Sequence, residues 1–193
     1  MNVRFPIAGE WLRKPYVVFV EDALPADLCA ALVARIEAAG PAVAPINTAA
    51  GMVMNTRVRD NERVMFDDAP LAADLHARTR AALPESLHGG LLVGYNERFR
   101  GYRYRTGQRF APHFDGRYSR PNGDERSQIT LLFYLNEGFM GGETKLIDYD
   151  VVIRPLRGSL LAFEHAMLHE GSAVTEGTKY VLRSDAMYFF AAR

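Results

Sequence analysis

The sequence sets an imidazole and a carboxylate two residues apart in His113-Phe114-Asp115. Residues i and i+2 of an extended strand share one face. On such a strand His113 and Asp115 project side by side, while Phe114 turns into the packing on the other face. Two groups of this kind are two-thirds of a 2-His-1-carboxylate facial set, which holds a ferrous ion and leaves one face of it open. The third ligand must come from elsewhere in the chain, and His169 is the candidate. His-x-Asp alone also describes a hydrogen-bonded pair on a half-exposed strand, so the surrounding sequence decides.

Glu164 to His169 follows a small-apolar run, Gly158 to Phe163. His165 and His169 are four apart, a spacing that makes a zinc pair on a helix. The flanking runs are strand-like and His-Glu-x-x-His order is absent, so His165 reads as a loop residue and His169 as the start of a strand. Lys179 opens the next long run. Lys179, Val181, Arg183 and Asp185 share one strand face, and Tyr180, Leu182, Ser184 and Ala186 the other. A lysine at a strand end is ordinarily solvated. Aimed into a barrel it is costly unless an anion meets it, as when a dicarboxylate chelates the metal with one end. His76 and His88 read as surface or structural.

These groups need rigid elements to hold them. Tyr16 to Val20 is an aromatic and β-branched run that suits a first strand. Residues 25–39, with Leu28, Leu32 and Ile36 on one side, read as an amphipathic helix, and residues 70–82 as a second helix opened by Asp67-Asp68-Ala69-Pro70. Met52 to Arg57 suits a further strand, and residues 57–63 read as a polar loop carrying Arg57, Arg59 and Arg63. After Gly89-Gly90 short strand-like runs follow closely, at 91–95, 99–105, 108–110, 112–115, 128–135, 144–147, 151–153, 159–163, 171–174 and 179–190. That texture indicates a sandwich or barrel. The fold class expected is mainly β with flanking helices (α+β). One domain spans 1–193, with 1–90 a helix-rich support and 91–193 the catalytic β core.

Five blocks stand in order: Tyr104 through Gly107-Gln108, Pro112-His113-Phe114-Asp115, Thr130 to Asn136, Gly141-Gly142-Glu143-Thr144, and His169 with Lys179 ten residues on. Together they resemble the prolyl 4-hydroxylase branch of the Fe(II)/2-oxoglutarate dioxygenases over roughly residues 91–190. The resemblance implies a double-stranded β-helix, a jelly roll with iron in its interior. It implies His113, Asp115 and His169 as iron ligands, and Lys179 as partner of the distal carboxylate of 2-oxoglutarate. Tyr134 would border that carboxylate, Tyr104 would line the site, and Leu132 and Thr144 would wall the cosubstrate pocket. Arg183, on the Lys179 face, is an alternative or second carboxylate partner, and both tyrosines are equally ordinary strand aromatics. The implied reaction consumes O2 and 2-oxoglutarate, hydroxylates an aliphatic C–H of a prolyl or other residue and releases succinate and CO2, with ascorbate as accessory reductant. Related halogenases have a small residue where Asp115 stands, so its presence favours hydroxylation.

Lys plus Arg equals Asp plus Glu at 23 each, so no global field favours nucleic acid or a membrane surface. Between Arg98 and Arg126 lie eight arginines against three acids. Most suit a solvated outer face with stems on the sheet. Arg57, Arg63 and Arg117 are kept as candidates for binding a small-molecule or peptide substrate bearing carboxylates. A nucleic-acid demethylase on the same fold would need a basic groove. A non-catalytic jelly-roll module that binds a small ligand would need no triad. Cys29 has no partner for a disulfide, and Met1 to Gly9 lacks a long apolar leader segment, so a cytoplasmic protein is expected.

Overall fold

The computed structural model describes residues 2–3, 15–48 and 51–191. Apart from Asn2 and Val3, the stretch Met1 to Gly9 discussed above lies outside the described residues. Among them no helix is long and apolar enough to cross a membrane.

The N-terminal part supplies β1 (Val17–Val20), α1 (Ala26–Ala38), β2 (Glu62–Asp67) and α2 (Ala69–Thr79). The remainder contributes β3 (Gly90–Tyr95), β4 (Arg98–Arg105), β5 (Phe110–His113) and β6 (Glu125–Tyr134). It continues with β7 (Thr144–Leu146), β8 (Val151–Ile153), β9 (Leu160–Glu164), β10 (His169–Gly171) and β11 (Thr178–Phe189). The major sheet is antiparallel in the order β1-β9-β6-β11-β4-β2, and β3 pairs with the far end of β11. A minor antiparallel sheet runs β5-β10-β7-β8. The two sheets form the expected jelly roll, with the helices against the outside of the major sheet.

Alternation along the strands divides the core into two layers. Leu32 and Ile36 of α1 and Leu75 of α2 pack with Phe99, Leu131, Phe133 and Leu182 on the outer face. Tyr102, Tyr104, Leu132, Tyr134, Phe163 and Val181 point inward, toward the minor sheet. α2 begins as its sequence predicts: the Asp68 carboxylate accepts from the Leu71 amide at 2.9 Å, satisfying one free N–H of the first turn. α1 comes close to β4 at Gly101, where an added Cβ would lie 2.5 Å from Cγ1 of Ile36 and 3.0 Å from Cγ2 of Val64. Gly101→Ala should therefore overpack this seam and cost about 1–3 kcal/mol, read as a lower urea midpoint at unchanged m-value.

Three differences from the sequence reading have clear causes. The end of the polar run, Glu62 and Arg63, becomes the start of β2, where Glu62 finds Arg103 across the sheet at 2.5 Å; the strand's last residue, Asp67, likewise pairs with Arg98 at 2.9 Å. Runs 108–110 and 112–115 merge into the single short β5, whose register against β10 shifts between Phe110 and His113. Phe114 is not packed on the face opposite His113 and Asp115, as expected from alternation. It lies just past the end of β5 and is 60% exposed, since i, i+2 alternation lapses where the ladder stops.

Candidate active site

Cross-strand register brings the inward residues into rows. On β11, Lys179 pairs with Tyr104 of β4, Val181 with Tyr102 and Arg183 with Arg100. On its other side β11 sets Val181 against Tyr134, Arg183 against Leu132 and Asp185 against Thr130 of β6. The minor sheet sets His113 directly opposite His169. Asp115 reaches the same point from the segment after β5, where its amide donates to the His165 carbonyl. One ligand atom from each of His113, Asp115 and His169 lies within 4.8 Å of the others. Nε2 of His169 is 3.5 Å from one Asp115 oxygen and Nε2 of His113 is 3.8 Å from the other. A single ion with bonds of roughly 2 Å spans such separations.

The tautomers follow from the neighbours. Nδ1 of His113 sits 2.8 Å from the Ala111 carbonyl, and Nδ1 of His169 sits 3.0 Å from that of Met167. A carbonyl only accepts, so each Nδ1 carries the proton and each Nε2 presents its lone pair to the shared point. Burial, with His169 nearby, drives the His113 imidazole down to about 3, and burial lowers His169 as well. Both rings are thus held neutral, the ligating form. Burial alone would raise the Asp115 carboxyl; the Arg183 guanidinium, with the Thr130 hydroxyl donating to the carboxylate, outweighs it and keeps it ionised.

Asp115 is oriented by groups the sequence reading passed over. Thr130 Oγ1 donates to its carboxylate at 2.6 Å and so accepts from Nδ1 of His165 at 2.8 Å. Nε2 of His165 in turn accepts from Ser127 Oγ at 2.8 Å, and that oxygen accepts from the Tyr118 amide. Every lone pair and proton along this chain has one assignment. His165 is a turn residue as expected, yet it is buried. A second histidine four residues before the candidate ligand His169 was the available signal. Arg183 completes the arrangement, with one guanidinium nitrogen 3.1 Å from Asp115 and 3.2 Å from Asp185.

Two chambers meet at this point. The inner one is lined by Tyr104, Leu132, Tyr134, Thr144, Lys179 and Val181. Tyr134 donates to Thr144 at 2.7 Å. Lys179 is 3% exposed, lies over the Tyr104 and Tyr134 rings, and donates to the Gly142 carbonyl at 2.5 Å. Gly142 has φ +69°, and a Cβ there would meet Lys179 Cδ at 3.1 Å, so glycine serves both the turn and the lysine. Among the described residues no carboxylate lies within ion-pair distance of Lys179, and burial pushes its ammonium down to about 7. A buried cation without an anion fits a ligand carboxylate. The outer chamber is the larger of the two and is lined by Val58, Arg59, Arg63, Arg100 and Phe114. His113, Asp115, Tyr102, Phe110 and Arg183 belong to both.

The other predicted substrate residues fall elsewhere. Arg57 is exposed and its carbonyl accepts from Arg109, while Arg117 lines a separate cleft with His88, Asn122 and Arg126. The arginines of the β4 region divide as alternation requires. Arg103 pairs with Glu37 and Glu62 on the outer face, and Arg100 turns inward. The loop after Asp115 is pinned by Arg120 across the Glu97 carboxylate, both contacts at 2.5 Å.

Residues 99–184 match a family model described as the 2OG-Fe(II) oxygenase superfamily. No curated protein gives a significant match. Solved structures are similar in fold. A viral collagen prolyl hydroxylase from Paramecium Bursaria Chlorella virus-1, in its 2OG complex, is 21% identical with a TM-score of 0.63, over 90% of this chain and 96% of that one. A Pseudomonas putida prolyl-4-hydroxylase is 21% identical with a TM-score of 0.65, over 91% and 93%. A Trichoplax adhaerens prolyl hydroxylase, solved with a hypoxia inducible factor peptide fragment, is 18% identical with a TM-score of 0.64, over 90% and 83%. Residues 99–184 are thus similar to the 2OG-Fe(II) oxygenase superfamily model, and the chain shares the jelly-roll fold of these prolyl hydroxylases.

Proposed function

We propose that this protein hydroxylates an unactivated aliphatic C–H of a prolyl or other amino-acid residue, in a peptide or a small molecule. Fe(II) with 2-oxoglutarate and O2 supplies the oxidising chemistry, leaving succinate and CO2 as coproducts. His113, Asp115 and His169 would hold the ion through two imidazole nitrogens and a carboxylate oxygen, all meeting from one side. Lys179 would take the distal carboxylate of the cosubstrate, with Tyr134 and Thr144 beside it and Leu132 excluding water. Arg183 is better suited to keeping Asp115 ionised and aimed, because its guanidinium already spans Asp115 and Asp185. The observation that carries the reading is the triad standing between a chamber floored by a buried lysine with no described carboxylate in ion-pair reach and a larger chamber beside it.

The peptide bound in the Trichoplax structure supports a residue within a peptide as one form of substrate. Ascorbate would act only as an added reductant, and the single buried Cys29 supports a reducing, cytoplasmic setting. The test is anaerobic addition of Fe(II) and 2-oxoglutarate to the metal-free protein, followed by exposure to O2. We expect the weak visible band of the chelate and slow release of succinate without added substrate. A protein that shows neither is a non-catalytic jelly-roll binder.

A further inference from the structure

We propose that the outer chamber recognises a carboxylate on the substrate, seated among Arg59, Arg63, Arg100 and Arg183 beside the metal centre. The inference rests on the hydroxylase reading above and specifies the substrate it requires. Four guanidinium groups line this chamber, and among the described residues two carboxylates pair with them, Asp115 with Arg183 and Asp185 with Arg100 and Arg183. Ferrous iron and a 2-oxoglutarate dianion cancel each other's charge, so loading the site leaves the excess of two positive charges in place. A neutral substrate closing over it would bury that excess, which is expensive.

Two of the arginines hold donors in reserve. Arg59 is 4% exposed, with Nε on the Asn61 side chain at 2.7 Å and its guanidinium over the Tyr102 and Phe110 rings. Its Nη2 is buried with no acceptor. Arg183 is 8% exposed and uses Nη2 on Asp115 and Asp185, while its Nε is also buried without an acceptor. Buried N–H groups left unpaired are rare and cost free energy until an acceptor arrives. The guanidinium of Arg63 has no hydrogen-bond or ion-pair partner among the described residues, although its side chain is only half-buried. The rigid forks of arginine match a planar carboxylate better than a diffuse anion. Because Arg183 also touches Asp115, the C–H presented to the metal lies within a few bonds of the bound carboxylate.

The experiment uses the full chain with Fe(II) and 2-oxoglutarate under nitrogen, and calorimetry with matched probes. One arm pairs free amino acids and their N-acetyl derivatives, proline included, with the corresponding primary amides. A second arm pairs blocked Asp-Pro and Glu-Pro peptides with their Asn and Gln counterparts. In at least one arm the acid should bind about tenfold or more tightly than its amide. Arg63→Gln should abolish that preference while keeping the wild-type thermal midpoint, since no internal pair is broken. The first arm responding identifies a free acid as the substrate, the second an acidic peptide. Amides that bind as well as acids, no binding in either arm, or a preference surviving Arg63→Gln would overturn the inference. A protein that fails to chelate 2-oxoglutarate on iron or to release succinate refutes the hydroxylase reading instead.

Discussion

Asp115→Ala will lose retained iron and succinate release together, by at least about 10²–10³-fold, exceeding the 10–100-fold that loss of a group one step behind a ligand brings. Asp115 is the only carboxylate among the three candidate ligands, so nothing else in the triad offsets the charge of the cation. The same substitution strands Thr130, whose hydroxyl loses its acceptor, and leaves Arg183 with Asp185 alone. The fold should persist with a lowered thermal midpoint, because Asp185 still pairs the buried guanidinium. Asp115→Asn keeps the shape and the Thr130 contact, and should recover the midpoint without recovering iron. Metal content after gel filtration and succinate release under O2 read the two effects separately. Undiminished succinate release by the alanine variant would remove the triad from the reaction.

Lys179→Met should weaken 2-oxoglutarate binding by about 2–5 kcal/mol, roughly 30- to 5,000-fold, whereas Arg183→Met should change it only a few-fold. The lysine also makes a signed prediction about pH. Its folded value, about 7, lies well below that of an exposed lysine. Between those two values the unfolded chain binds more protons than the folded one, so the ligand-free protein gains stability as pH rises through that window. Below about 7 both states are protonated and the destabilisation is present in full. The methionine variant should lose this slope and be the more stable protein at pH 7. Binding of the dianion restores the charged form, so at pH 8 wild type should take up about one proton with 2-oxoglutarate, measurable by calorimetry in buffers of different ionisation enthalpy. An unaltered 2-oxoglutarate affinity in Lys179→Met, with loss in Arg183→Met, would exchange the two roles.

The inward set on β11 was legible from period-2 alternation alone, which placed Lys179 and Arg183 on one face. The strand texture after Gly90 likewise indicated a sandwich or barrel, and the family resemblance narrowed it to a jelly roll. What alternation does not carry is where a ladder ends, and so Phe114 was assigned to packing while it stands exposed beside the outer chamber. Nor does it carry which of eight spaced arginines finds an acid. That depends on Glu37 and Glu62, which α1 and β2 bring to the outer face, leaving Arg100 on the inner one. Arg59 looked like one charge in a polar loop; its burial over two aromatic rings is a long-range contact with no local signature. The relay through Ser127, His165 and Thr130 joins two positions of β6 to the turn after β9, and only the folded register brings them into line.

That Lys179 and Arg183 belong to one uninterrupted strand has a consequence for how such a protein can diversify. Four residues of strand fix their spacing at about 13 Å, and inserting or deleting one residue between them would turn one of the pair out of the barrel. Length change is therefore closed to β11, and the distance from the proposed cosubstrate anchor to the proposed metal site is inherited as a constant. The segment from Val58 to Asn61, ahead of β2, is not bound in this way, since its Val58 and Arg59 border only the outer chamber. New substrate preferences can arise there by exchanging side chains, while the oxidative machinery stays untouched.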